Sequence, residues 1–241
     1  MQLAIINGTL CNAELWQPLE DSLRSLIHGE IVYPDITGGH NIAEYARNIG
    51  AALESPGWIL GYSLGGIIAL ELAQLYPEKI CGLILLCTNS DGQTPLKEEA
   101  AERQLNLLAT EGLESLFEQI LLPAYFSETQ LREEVEAVAK IKNMGLAMGP
   151  DVLRKQLQTL RSRRDQNECL ASIRTPALLV CGSEDNLCTA EQNQKMARLL
   201  PQSKLERVEG VGHMLPLLRP EALLGAVSDF VSEFRKLHSM R

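Results

Sequence analysis

Gly61-Tyr62-Ser63-Leu64-Gly65 has the form Gly-x-Ser-x-Gly. It follows an apolar run at 58–60 and precedes a strongly apolar stretch at 64–76 that ends at Pro77. A strand, a sharp turn and a helix in that order are the setting in which this motif exposes a serine hydroxyl as a nucleophile. The turn lifts the hydroxyl above the sheet, the glycines leave room for it, and the N-terminus of the following helix favours negative charge beside it. Outside that setting the same letters describe an ordinary glycine-rich turn.

A serine hydroxyl is a weak nucleophile without a base. His213 lies in Gly210-Val211-Gly212-His213-Met214, after the last strand-like run and before the last helical one. That loop falls at the carboxyl edge of a parallel sheet, where Ser63 is also expected and where such sheets bind ligands. His28 follows the first helix, His40 sits in a glycine-rich loop that could line a cleft, and His238 lies in a terminal tail. The base needs a carboxylate to orient it. Asp185, in Gly182-Ser183-Glu184-Asp185, follows the apolar run 177–181 and opens at the same edge. Two other acids compete. Glu184 is adjacent but points elsewhere, and Asp91, after the run 80–87, reads as a solvated loop acid. A reaction through an oxyanion also needs two preorganised N–H donors. Leu64, next after the serine, supplies one. Thr9, in the turn Asn7-Gly8-Thr9-Leu10, is the best candidate for the other.

Positioning these groups takes a parallel sheet. Apolar runs at 2–6, 30–33, 58–61, 80–87, 177–181 and 204–208 alternate with helix-spaced stretches at 15–26, 42–53, 64–76, 190–200 and 220–237. Alternation of this kind predicts strands with helices on both faces. From 95 to 170 no strand-like run occurs, while Leu105/Leu108, Leu116/Phe117/Ile120/Leu121, Val135/Val138 and Leu153/Leu157/Leu160 keep a helical spacing. So long a stretch is no ordinary connection. It predicts a helical cap at 95–170 inserted into a core made of 1–94 and 171–241.

Composition narrows the function classes. The 241 residues are 45% hydrophobic and 22% charged, ordinary for a globular protein, and the net charge of −9 disfavours non-specific nucleic-acid binding. No run approaches the length of a membrane span, and the first residues lack the basic stretch of a signal peptide. A cytoplasmic protein is therefore expected. Its six cysteines form no Cys-x-x-Cys pair, and the histidines are not spaced as zinc ligands, so neither disulfides nor a metal are expected.

With Ser63, Asp185 and His213 in that order, the sequence resembles the α/β-hydrolase superfamily over nearly its whole length. Asn7-Gly8-Thr9 looks like the family's His-Gly-x oxyanion turn, with asparagine in place of a histidine that is normally structural. Asn12-Ala13-Glu14-Leu15-Trp16 is similar to carboxylesterases of the biotin-pathway type, which cleave pimeloyl-carrier methyl esters. The resemblance implies about six parallel strands, with the family's N-terminal hairpin missing and strand 30–33 an edge that charge, brevity or a homodimer would protect. It implies a serine carboxylic-ester hydrolase working through an acyl-enzyme, without a cofactor, on a small-molecule ester, as a monomer or homodimer. Ser63 argues against the family's dehalogenases and epoxide hydrolases, which use aspartate. Ile67 stands where the menaquinone-pathway synthases usually have arginine. A ligand receptor on the same fold is the rival from another class. Arg161, Arg163 and Arg164, with Arg154, Lys155, Lys140 and Lys142 nearby in sequence, read either as a solvated helix face or as a docking patch for an acyl carrier protein.

Overall fold

Successive side chains of a strand point to opposite faces, so a strand that is apolar throughout must be covered on both. In the computed structural model, which describes the backbone of residues 2–239 and side chains as far as 236, the central strands do this. Leu3 and Ile5, Trp58 and Leu60, Ile84 and Leu86, and Leu178 and Val180 enter one buried core. Their neighbours Ala4 and Ile6, Ile59, Leu83 and Leu85, and Ala177 and Leu179 enter a second core on the other face.

The strands are β1 (Gln2–Ile6), β2 (Glu30–Val32), β3 (Gly57–Tyr62), β4 (Ile80–Leu86), β5 (Ala177–Gly182) and β6 (Ser203–Val208). They form one six-stranded sheet in the order β2-β1-β3-β4-β5-β6, with every pair parallel. All the carboxyl ends therefore lie along one edge. The sheet's own margins are the strands that are not apolar throughout. β2 is three residues long and begins at exposed Glu30, and β6 exposes Lys204 and Glu206.

Helices α1 (Glu20–Ile27), α2 (Ile42–Ala52) and α3 (Leu64–Leu75) belong to the first half of the sheet. Between β4 and β5 the chain is helical: α4 (Pro95–Thr110), α5 (Gly112–Leu116), a π-helical turn (Phe117–Leu121), α6 (Leu122–Tyr125), α7 (Glu128–Glu133), α8 (Val135–Met148), α9 (Pro150–Arg161) and α10 (Asn167–Leu170). α11 (Ala190–Leu199), α12 (Leu215–Leu218) and α13 (Pro220–Ser239) complete the fold. α2, α3 and α11 cover one face of the sheet, and α1 and α13 the other. The core on the α1/α13 face continues through Phe117, Leu121, Tyr125, Leu153 and Leu157 into the segment between β4 and β5.

Two expectations from the sequence change. The helix at 15–26 is two pieces, a 3₁₀ turn at Ala13–Leu15 and then α1. Pro18, which lacks an N–H and cannot continue a preceding helix, lies between them. α7 carries no apolar stripe and was not expected. It is held at its start by Ser127 and Gln130, whose side chains bond each other's backbone N–H. The tail position of His238 lies outside the described side chains. Among the described residues no helix is long and apolar enough to cross a membrane.

Candidate active site

Ser63 follows directly on β3 and immediately precedes α3, with φ 53° and ψ −115°. Positive φ is rare for a residue with a side chain, and holding it there costs about 1–3 kcal/mol. The surroundings impose it. Ser63 N–H donates to the Leu86 carbonyl at 3.0 Å, and Thr88 Oγ1 donates to the Ser63 carbonyl at 2.8 Å. Gly65 allows the turn to seat against β1, since a Cβ there would lie 1.9 Å from the Ile6 carbonyl oxygen.

The loops after β5 and β6 bring the other two groups. His213 Nε2 lies 3.0 Å from Ser63 Oγ, and His213 Nδ1 lies 2.8 Å from Asp185 Oδ2. Gly182 sets this spacing, because a Cβ on it would come 2.2 Å from the Val211 carbonyl oxygen in the loop that carries His213. Glu184 N–H donates to the same carbonyl at 3.0 Å, which ties the two loops together. The imidazole is buried and in contact with two rings. Tyr125 stacks on it at 5.7 Å, and Tyr62 lies tilted at 5.4 Å with its hydroxyl donating to the His213 carbonyl.

Asp185 is 3% exposed. Burial pushes its pKa up, but the adjacent His213 charge, the bond to His213 and bonds from the Cys188 and Leu187 N–H groups more than offset it, leaving the carboxyl below the ordinary 3.8. An acid with a lowered folded-state pKa stabilises the fold fully above that ordinary value, and the contribution is lost as pH falls through the lowered one. Asp185 is therefore a carboxylate throughout the neutral range. The competing acids have other partners. Asp91 accepts from Asn167, Gln192 and Lys195 and so joins β4 to α10 and α11. The Glu184 side chain is exposed.

Thr9 and Leu64 line the same cleft as Ser63. Among the described residues neither amide has a protein acceptor. Leu10, which also has positive φ, is occupied, since its N–H donates to Gln156 Oε1 at 2.9 Å. Gln156, fully buried on α9, was missed in the sequence, where it is one polar residue between leucines; nothing local marks it. The same holds for Tyr125. Asn7, at the family's histidine position, accepts from Trp16 Nε1 at 2.7 Å and so fixes the turn that carries Thr9.

The cleft has a volume of about 540 Å³. A separate cavity of about 400 Å³ beside β2 is bordered by His40 and Tyr45, away from Ser63. His40 faces Glu44 there, and His28 is exposed at the end of α1. All six cysteines are free thiols. Cys87, Asp185 and His213 have ligand atoms within 4.8 Å of one another. The carboxylate and the imidazole are bonded together, and burial first, then the Asp185 charge, raise the Cys87 thiol well above its ordinary pKa. The trio is thus a poor donor set for a metal, which needs a thiolate.

A serine–histidine–aspartate chain of contacts above the carboxyl edge of a parallel sheet narrows the choice of family, and the match of residues 33–220 to the family model for the alpha/beta hydrolase fold decides it. The chain belongs to the alpha/beta hydrolase fold family. Among similar hydrolase-fold proteins, the pimeloyl-[acyl-carrier protein] methyl ester esterase of Neisseria meningitidis is 27% identical over 79% of this chain and 75% of its own. The biotin biosynthesis bifunctional protein BioHC of Cellvibrio japonicus is 25% identical over 95% of this chain, which spans only 47% of that protein. A thermophilic esterase from Thermogutta terrifontis has the same fold, with a TM-score of 0.85, 22% identity, and coverage of 97% of this chain and 90% of that one.

In this hydrolase-fold chain the three arginines do not form one outward face. Arg161 is bound to Glu98 and, like Arg163, borders the cleft. Arg164 donates to Glu71 at 3.0 Å and to Gln74 at 2.8 Å, both on α3. Lys142 is held by Glu114 and Glu118, and Arg154 by Asp151. The Glu71 side chain is only 7% exposed, so Arg164→Met removes the cation bound to a buried carboxylate and leaves it the Gln166 amide at 3.2 Å. The expected cost is about 1–2 kcal/mol, discounted because the guanidinium itself is half exposed. A thermal melt unchanged from wild type would contradict this role.

Proposed function

We propose that this protein is a serine hydrolase of carboxylic esters. The observation that carries the reading is the continuous contact Ser63 Oγ–His213 Nε2 and His213 Nδ1–Asp185 Oδ2, at 3.0 and 2.8 Å, opening into the cleft. Ser63 Oγ attacks the ester carbonyl carbon as His213 Nε2 takes its proton. The oxyanion forms against the Leu64 and Thr9 N–H groups, at the N-terminus of α3. His213 returns the proton to the leaving alcohol, the C–O bond breaks, and an acyl-Ser63 remains. Water, deprotonated by His213, attacks the acyl carbon, and Ser63 Oγ leaves with that proton, releasing the acid. Asp185 keeps the Nδ1 proton in place and stabilises the imidazolium. The segment 95–170 acts as the cap, supplying much of the cleft wall, over a core of 1–94 and 171–241.

The deciding experiment is a screen of p-nitrophenyl and methyl esters by acyl chain length. Turnover that needs Ser63 supports the reading; a stoichiometric burst without turnover favours a hydrolase-fold receptor. A second reading, an esterase acting on a carrier-linked methyl ester, is favoured by the similarity to the Neisseria protein and by the arginines at the cleft. A carrier-linked ester cleaved much faster than its small counterpart, with an advantage that fades in salt, would select it.

The base imposes a pH dependence. A protonated imidazole cannot accept the Ser63 proton. kcat/KM should therefore fall on the acid side, approaching tenfold per pH unit, while Asp185 stays ionised. A profile that stays flat on the acid side down to the pH at which the protein unfolds would remove His213 from the role.

A further inference from the structure

The proposed ester chemistry leaves the substrate's charge open, and the cleft wall bears on it. Lys97, Arg103, Arg161 and Arg163 line the cavity that holds Ser63 and His213, and among the described residues no aspartate or glutamate does. That runs against a chain whose net charge is −9. A cationic wall needs no ligand where each cation already has a carboxylate, as Arg161 has in Glu98. Arg163 has none. Its Nε donates to the Gln93 side-chain oxygen at 3.2 Å, and among the described residues no carboxylate lies within ion-pair distance of it. The Lys97 ammonium donates to the Gly92 carbonyl at 2.8 Å, likewise without an acid partner.

Both cations are partly buried. Burial disfavours the charge on each, and the Arg163 charge adds to burial in lowering the Lys97 pKa. Asp91 and Asp165 line not the cleft but a neighbouring depression that shares Gln93, Lys97 and Arg163 with it, and their charges partly offset the burial, Asp91 for both cations and Asp165 for Lys97. They are already bonded, Asp91 to Asn167, Gln192 and Lys195, and Asp165 to Asn167 and the Gly92 N–H. Neither acid forms an ion pair with Lys97 or Arg163, so both cations, which line the cleft, are left without a directly bonded counter-charge that an anion there would supply. With Nε held by Gln93, the guanidinium keeps its two Nη groups for a carboxylate or phosphate.

We propose that Arg163, with Lys97 beside it, forms an anion subsite of the ester cleft, so that the substrate is a small ester carrying a carboxylate or comparable anion away from the scissile bond. The proposal rests on the ester-hydrolase reading. It is tested with two series, half esters of dicarboxylic acids against esters of monocarboxylic acids of equal length, and acetates of ω-hydroxy acids against acetates of plain alcohols. Hydrolysis is followed by pH-stat. In one series or both, kcat/KM should favour the anionic member by about 10- to 100-fold, the range of a charged hydrogen bond. In Arg163→Met that ratio should fall to near one, and Arg163→Lys should restore part of it. A ratio divides out any loss common to both esters. Arg154→Met, which removes a charge paired with Asp151 outside the cleft, should leave it unchanged.

Inhibition separates the sources of the anion. Glutarate competing better than inorganic phosphate assigns a carboxylate, and the reverse order a phosphorylated ester. No anionic preference in either series, or a preference that survives in Arg163→Met, overturns the subsite. Calorimetric titration keeps it separate from the ester reading. Of the half ester and the acetate of an ω-hydroxy acid, at least one should bind Ser63→Ala at least tenfold more tightly than it binds the double variant Ser63→Ala/Arg163→Met, whether or not any ester is turned over. Equal binding for both esters overturns the subsite alone, and absence of all ester turnover overturns the ester reading alone.

Discussion

Replacing Ser63 by alanine should lower ester turnover by about 10⁴–10⁶-fold while leaving the protein folded. The substitution removes one oxygen that faces a cleft and breaks one bond, to His213 Nε2. The backbone bonds that hold the turn, Ser63 N–H to Leu86 and the Ser63 carbonyl to Thr88, do not involve the side chain. Alanine tolerates φ 53° no worse than serine does, so the melting temperature should stay close to wild type. A size-exclusion profile and a thermal melt establish folding, and a stopped assay on the best p-nitrophenyl ester reads the loss. Turnover within tenfold of wild type would exclude Ser63 as the nucleophile, and with it the acyl-enzyme.

Asp185→Asn should cost about 10⁴-fold in kcat. The amide can present an N–H to His213 Nδ1, which favours the tautomer whose Nε2 carries the proton and cannot accept one from Ser63. Asn is close to isosteric, and its oxygen can still accept from the Leu187 and Cys188 N–H groups, so the loop should keep its course. Asp91→Asn is the comparison. Its carboxylate serves Asn167, Gln192 and Lys195, far along the chain from His213, so it should cost stability and little turnover. The reverse order of effects would move the orienting carboxylate to the β4 loop.

Much of this was legible in the chain itself. Six strand-like runs and their order of apolar character suffice for a parallel sheet, because a strand buried on both faces must be apolar at every position. Ser63, Asp185 and His213 could be read because each follows a strand-like run, and parallel strands bring all their carboxyl ends to one edge. The groups that depend on contacts between distant segments could not. Gln156 reaches the Leu10 N–H across 146 residues, and Tyr125 stacks on His213 from a helix between β4 and β5. The basic run at 161–164 shows the same limit most clearly. Sequence gives three arginines of one type, but α9 ends at Arg161, and past that point periodicity no longer predicts direction. Tertiary structure binds Arg161 to Glu98, binds Arg164 to the buried carboxylate of Glu71 and leaves Arg163 on the cleft wall with only an amide partner. A charge's role depends on which opposite charge the fold brings within a few ångströms of it, and that is a property of packing, not of residue type.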